Sequence, residues 1–164
     1  MKNFKKVNNI SGWIVFLIAT VTYLVTMEKT ASLWDCGEFI SAAYKLEVVH
    51  APGAPFFLMI GRIFSLFASD ASQVAIMINS MSALSSSFTI LFLFWTITSF
   101  GRKIYLKDGV IEQSKLIAII GAGVVGSLAY TFSDSFWFSA VEGEVYALSS
   151  FFTALTFWCI LKWE

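Results

Sequence analysis

The strongest constraint on this chain is its succession of long apolar runs almost free of charge. They cover residues 10–27, 74–100, 116–132 and 145–161, and each reaches the range of about 17–25 residues that crosses a bilayer. Lipid offers no partners to backbone N–H and C=O groups, so such runs must become helices. The composition agrees: 57% of the 164 residues are apolar and 13% are charged, against about 25% charged in a soluble domain. Mean hydropathy is +0.75. An ordinary cytosolic globule of this size could not bury so much apolar surface. A disordered or collagen-like chain is excluded as well. The expected fold class is all-α integral membrane: one domain, four transmembrane helices, and interfacial helices in the first loop.

The fifth apolar run, Phe56–Ala68, is short and contains Arg62. Charge decides its place. If it crossed, the basic segment 101–115 would face outward, against the preference of Lys and Arg for the cytoplasm. If it lies flat on the outer side, Lys2, Lys5, Lys6, Arg102, Lys103, Lys107, Lys115 and Lys162 all become cytoplasmic. Glu28, Asp35, Glu38, Glu47, Asp70, Asp134, Glu142 and Glu144 then all lie outside. The expectation is therefore two cytoplasmic termini, a cytoplasmic loop at 101–115 and outer loops at 28–73 and 133–144, with Phe56–Ala68 interfacial. The first run is read as an anchor, not a cleaved signal, because it is too long and no Ala-x-Ala site follows. Net charge is zero, and no basic stripe points to nucleic acid.

The first outer loop is the richest in chemistry. Thr30 or Ser32 could cap a helix starting near Leu33. On it, Asp35 and Glu38 stand three apart on one face, and Phe39, Ala42, Ala43 and Leu46 form a stripe able to rest on a membrane. Two such carboxylates can supply a general base, bind a divalent cation through oxygen, or remain solvated. His50-Ala-Pro-Gly-Ala-Pro55 holds both prolines of the chain. It makes a stiff turn that carries His50 back toward the acids and starts a helix at Pro55. His50 reads as a hydrogen-bonded structural residue or as an acid, base or phosphate ligand. Arg62 could neutralise a lipid phosphate or snorkel to headgroups.

The second outer loop gathers Asp134, Glu142 and Glu144 with Phe136, Trp137, Phe138 and Tyr146. The aromatics fit an interfacial belt or a surface for stacking on a sugar. Acids at the edge of a span are costly and mark a functional hypothesis. Gly121, Gly123 and Gly126 lie in an apolar span without a preceding strand, so close helix packing explains them better than a dinucleotide loop. Cys36 and Cys159 fit neither a disulfide framework nor a zinc spacing.

The stretch Thr30–Phe67, with Leu-Trp-Asp-Cys-Gly-Glu-Phe and His-Ala-Pro-Gly-Ala-Pro, resembles the opening of domain-of-unknown-function family 2723, also classed as glycosyltransferase family 117. Phe136-Trp-Phe-Ser-Ala-Val-Glu-Gly-Glu-Val-Tyr146 is similar to that family's second signature. The layout is that of the GT-C glycosyltransferases, which include protein O-mannosyltransferases. The resemblance implies transfer of a sugar such as mannose from a polyprenyl-phosphate donor to a hydroxyl, for instance Ser or Thr of an exported protein. Asp35 would be the catalytic base and Glu38 its partner or replacement. His50 and Arg62 would serve the lipid phosphate, and Trp137, Glu142 and Glu144 the sugar or a divalent metal. No organic cofactor is implied. Ala51 departs from the commoner Pro of the turn. Members of that family are longer, so this chain is expected to be an N-terminal part, completed by further spans or a partner subunit and silent by itself. The expected setting is a bacterial inner membrane. The rival reading is a non-catalytic membrane scaffold or assembly subunit.

Overall fold

The computed structural model describes residues 2–105 and 112–163, and every regular element among them is helical. The elements are α1 Lys2–Thr26, α2 Cys36–Lys45, α3 Pro55–Ser65, α4 Val74–Tyr105, α5 Gln113–Thr131, α6 Asp134–Ala140 and α7 Val145–Trp163, with a 3₁₀ turn Ala71–Gln73 leading into α4. Among the described residues, four helices are long and apolar enough to cross a bilayer: α1, α4 with its leading turn, α5 and α7. The chain is an all-α integral membrane protein. Lys107, counted above among the basic residues, lies outside the described residues.

Helix α4 is the hub. Its 32 residues rise about 48 Å at 1.5 Å each, more than the roughly 30 Å of a hydrocarbon core. It packs against α1, α5 and α7, and small residues let those neighbours approach. Ser82, Ala83, Ser86 and Ser87 are buried. The hydroxyls of Ser85, Ser87 and Thr89 donate to the carbonyls of Met81, Ala83 and Ser85, one turn back, which satisfies them without a partner helix. On α5, a Cβ at Gly123 would stand 2.6 Å from Thr98 Cγ2, and one at Gly126 would stand 2.9 Å from Ile97 Cδ1. Both glycines are therefore contact points with α4. Gly121 is not: nothing lies within 4 Å of its Cβ position. The packing role expected of all three glycines holds for two.

At one end of the bundle, α2 and α3 form a cap on α4. Phe39, Ile40, Ala42 and Ala43 of α2 are buried with Phe57 and Leu58 of α3 and Val74, Ile78 and Met81 of α4. The apolar stripe of α2 thus packs on protein, not on a membrane surface. Leu46, the last residue assigned to that stripe, is exposed; it ends the helix in the left-handed conformation at φ 57°. Helix α3 has 11 residues, too few to span. It turns Phe56, Met59 and Ile63 outward with Leu66 and Phe67 just beyond, while Gly61 lies against Ala43. One apolar face on the protein and another facing away suit a helix lying in a membrane interface. Segment 133–144 contains α6, a two-turn helix absent from the sequence reading. Its Phe136 and Ala140 are buried with Val15, Ala19 and Tyr23 of α1 and with Ala83, Ile90 and Phe94 of α4.

Candidate functional site

The acids of both loops converge where α2 begins. Trp34 precedes it at φ 66°, a conformation uncommon for a bulky side chain. Asp35 occupies the N-cap position, but its side chain makes no capping bond; its carbonyl accepts from Phe39 N–H at 2.9 Å. The expected caps, Thr30 or Ser32 before a helix at Leu33, are not used. The helix starts at Cys36, and Ser32 points to the second loop instead. Consecutive residues Asp35 and Cys36 then serve opposite faces, one exposed and one buried.

On the exposed face stand Asp35, Glu38 and His50. The Pro-Gly-Ala-Pro turn, with Gly53 at φ 76° and Gly53 N–H donating to His50 O at 2.8 Å, folds His50 over α2. His50 grips Glu38 twice: its backbone N–H donates to Oε1 at 2.7 Å, and its Nδ1 lies 2.9 Å from Oε2. His50 Nε2 is 4.0 Å from Asp35 Oδ2. The imidazole thus bridges the two carboxylates, with its edge packed near Phe39. The hydrogen bonds from His50 hold Glu38 below the ordinary carboxylate range. The same bond with Glu38, with a smaller contribution from Asp35, raises His50. Glu38 is therefore committed to its partner as a carboxylate, whereas Asp35 keeps its carboxylate exposed, 4.0 Å from the imidazole.

On the buried face, Cys36, Glu142 and Glu144 bring their ligand atoms within 4.8 Å of one another. Glu142 and Glu144 are 3% and 9% exposed. Ser32 Oγ donates to Glu142 Oε2, and Cys36 Sγ donates to Glu144 Oε1 at 3.4 Å. Burial pushes the Cys36 thiol up to about 12, so it is a proton donor at neutral pH. Burial also raises Glu144, with Glu142 and Asp35 adding like-charge repulsion. This group could accept a cation through its carboxylates, but protein O–H and S–H groups already reach those oxygens. Asn79 of α4 completes the junction. Its Nδ2 donates to Glu28 O at 2.7 Å and Thr30 O at 3.2 Å. Its Oδ1 is buried without a partner and leaves Gly143 no room for a Cβ, which would come within 2.9 Å. Glu28 N–H donates to Val141 O at 2.9 Å, joining the two loops through their backbones.

The other two residues singled out lie apart from these groups. Arg62 Nη1 donates to Tyr44 O at 2.7 Å, and its guanidinium sits 5.4 Å from the Tyr44 ring centre. It closes the C-terminal end of α2, about 13 Å along the helix from Asp35 at 1.5 Å per residue. Trp137 Nε1 donates to Thr26 Oγ1 at 3.0 Å, pinning α6 to the end of α1. Three contributors were missed from sequence: Ser32, Cys36 and Asn79 act through contacts across many residues.

Comparison with known proteins adds identity to this geometry. The model of a family described as the protein O-mannosyl-transferase TMEM260 N-terminal domain matches residues 35–164. A protein O-mannosyl-transferase tmem260 of Dictyostelium discoideum is 27% identical over 143 residues, covering 87% of this chain and 16% of that protein. Protein O-mannosyl-transferase TMEM260 of Mus musculus is 26% identical over 151 residues, covering 92% of this chain and 19% of that protein. The chain thus spans less than a fifth of the length of either relative. No solved structure matches it.

Proposed function

Given that the chain belongs to the TMEM260 N-terminal domain family, we propose that it is the acid-bearing membrane module of an O-mannosyltransferase. Its reaction moves mannose from a polyprenyl-phosphate donor to a Ser or Thr hydroxyl of an exported protein. The observation that carries this reading is the exposed Asp35–His50–Glu38 group at the end of the bundle, beside the apolar outward face of α3.

In this reaction Asp35 takes the acceptor's proton as the hydroxyl oxygen bonds to the sugar C1 from the side opposite the phosphate. The C1–O bond breaks and polyprenyl phosphate leaves with the electron pair, so the anomeric centre inverts. Glu38 holds His50, and the charged imidazole offsets the phosphate's negative charge. Holding donor and acceptor together at the membrane surface supplies the effective concentration the step needs. Glu142 and Glu144 shape the floor of the site; sugar hydroxyls or a divalent cation would compete with Ser32 and Cys36 for their oxygens. Arg62 orients α3 and, through it, the donor's apolar tail. Further spans or a partner subunit complete the groove for that tail.

The setting we assign is a bacterial inner membrane with both ends of the chain in the cytoplasm and the acidic loops outside. The distribution of Lys and Arg supports that orientation. The test is transfer by the full-length protein in nanodiscs from polyprenyl-phosphate-mannose to a Ser/Thr-rich peptide, read as glycopeptide by mass spectrometry. Asp35→Asn lowers turnover by about 10²–10⁴-fold, the usual cost of losing a general base, with normal expression. Glu38→Gln costs less. Wild-type turnover in both variants would return the acids to a structural role and favour the scaffold reading.

A further inference from the structure

Trp34, the residue before Asp35, is 86% exposed, and its backbone is left-handed at φ 66°. That region is unfavourable for a bulky side chain, whose Cβ crowds the following carbonyl. Strain of this kind persists where the surroundings hold it, and it gathers at ligand sites. Contacts of the side chain do not offset it here. Among the described residues, no ring stacks on the indole and no acceptor reaches its N–H. Leu46, the other described non-glycine residue with positive φ, is different. It closes α2 with its N–H donating to Ala42 O, at a helix end where the left-handed conformation is common.

Glycine or asparagine would make the same turn at less cost, so the turn does not explain the indole. Nor does a membrane belt. Phe138 and Tyr146, exposed aromatics at the second loop, suit a belt and stand on ordinary helical backbone in α6 and α7. A belt gives no reason to place an indole at a strained position directly before an exposed acid. Trp137, the ring expected to stack on a sugar, is held elsewhere. Its N–H donates to Thr26 Oγ1, and its ring lies 5.6 Å from that of Phe132.

We infer that Trp34 is the stacking platform for the mannose transferred beside Asp35, with the indole face against the C–H face of the pyranose. The inference rests on the transferase reading above and adds to it the side chain that recognises the sugar. A pyranose is apolar on its faces and polar at its rim, so a flat apolar ring next to a carboxylate meets both. Consecutive Cα atoms stand about 3.8 Å apart, and both side chains are exposed, so one hexose can touch the two. An indole gives up little freedom on binding, because it turns about only two side-chain bonds. The strained backbone is then the cost of holding that ring beside the reacting sugar.

The experiment is native mass spectrometry of the full-length protein in detergent, titrated with polyprenyl-phosphate-mannose and with polyprenyl phosphate. The wild type should bind the mannose-bearing lipid more tightly. Trp34→Gly should weaken that lipid's binding by about five- to tenfold, the worth of one stacked ring, and leave bare polyprenyl phosphate unchanged. Trp34→Phe, which keeps a ring, should lose less than Trp34→Gly. The thermal midpoint of Trp34→Gly should equal or exceed that of the wild type, because glycine relieves the left-handed strain. An equal loss for both lipids would make the indole a contact for the tail or the membrane. That result, an unchanged affinity for both lipids, or a lowered midpoint would each overturn the platform. Binding is read without turnover, so the two readings fail separately. Trp34-dependent mannose binding with no glycopeptide formed would remove the transfer step and keep the platform. Glycopeptide formed by Trp34→Gly at wild-type donor affinity would do the reverse.

Discussion

Glu38 and His50 show how much two neighbouring side chains decide. Each holds the other's charged form, Glu38 lowered and His50 raised. The contribution of the pair to stability is full above the ordinary carboxylate value of about 4.3 and below the ordinary imidazole value of about 6.5. It is lost as pH rises through the raised value of His50, and lost again as pH falls through the lowered value of Glu38. The thermal midpoint of the wild type should therefore exceed that of Glu38→Gln most between pH 5 and 6, by a small margin because both groups are exposed. The gap should narrow at alkaline pH, where the bond from His50 backbone N–H to Glu38 remains; a gap constant with pH would show that the pair carries no charge coupling. This face of the site was legible in the sequence. Asp35 and Glu38 are three residues apart, and the stiff Pro-Gly-Ala-Pro turn carries His50 back toward them. The buried face was not, because Ser32–Glu142 and Cys36–Glu144 join residues 110 and 108 apart. No local pattern encodes such pairings.

At the scale of elements, the helices follow from apolar length, and their contacts follow from small residues. The sequence announced α1, α4, α5 and α7 by hydropathy, and α3 by Pro55 and the short apolar run after it. It did not announce α6, seven residues whose aromatics read equally as a belt. Nor did it separate Gly121 from Gly123, which lie on one run and differ only in which side meets α4. Gly123→Ala would press a methyl on Thr98 and Phe94 and should cost about 1–3 kcal/mol, as overpacking does. Gly121→Ala meets nothing within 4 Å and should be neutral or stabilising by up to about 1 kcal/mol, since Ala favours a helix over Gly. Denaturant titration in mixed micelles compares the two, and equal effects would contradict the assignment of the α4–α5 contact.

The whole molecule carries opposite charges at the two ends of one bundle. Both acidic loops meet at the end formed by the close of α1 and α5 and the start of α4 and α7, while the cations of α4 and α7 gather at the other end. If the acidic end faces outward, Asp35 stands where an exported hydroxyl arrives. If it faced the cytoplasm, the transfer reading would lose its acceptor. The sequence supplied this polarity through charge alone, and the fold adds that α3 is too short to reverse it.

The most direct test is therefore side-specific cysteine labelling in intact cells. The background is Cys159→Ser, with Cys36 left in place because it is buried. Single cysteines replace Glu28, Ser69, Ser133 and Lys115 in turn. Glu28→Cys, Ser69→Cys and Ser133→Cys should react with an impermeant maleimide added outside, and Lys115→Cys should react only after permeabilisation. Labelling of Lys115→Cys together with Glu28→Cys from outside, with Ser69→Cys and Ser133→Cys reacting only after permeabilisation, would mean that α3 crosses the membrane and would contradict the outward-facing site.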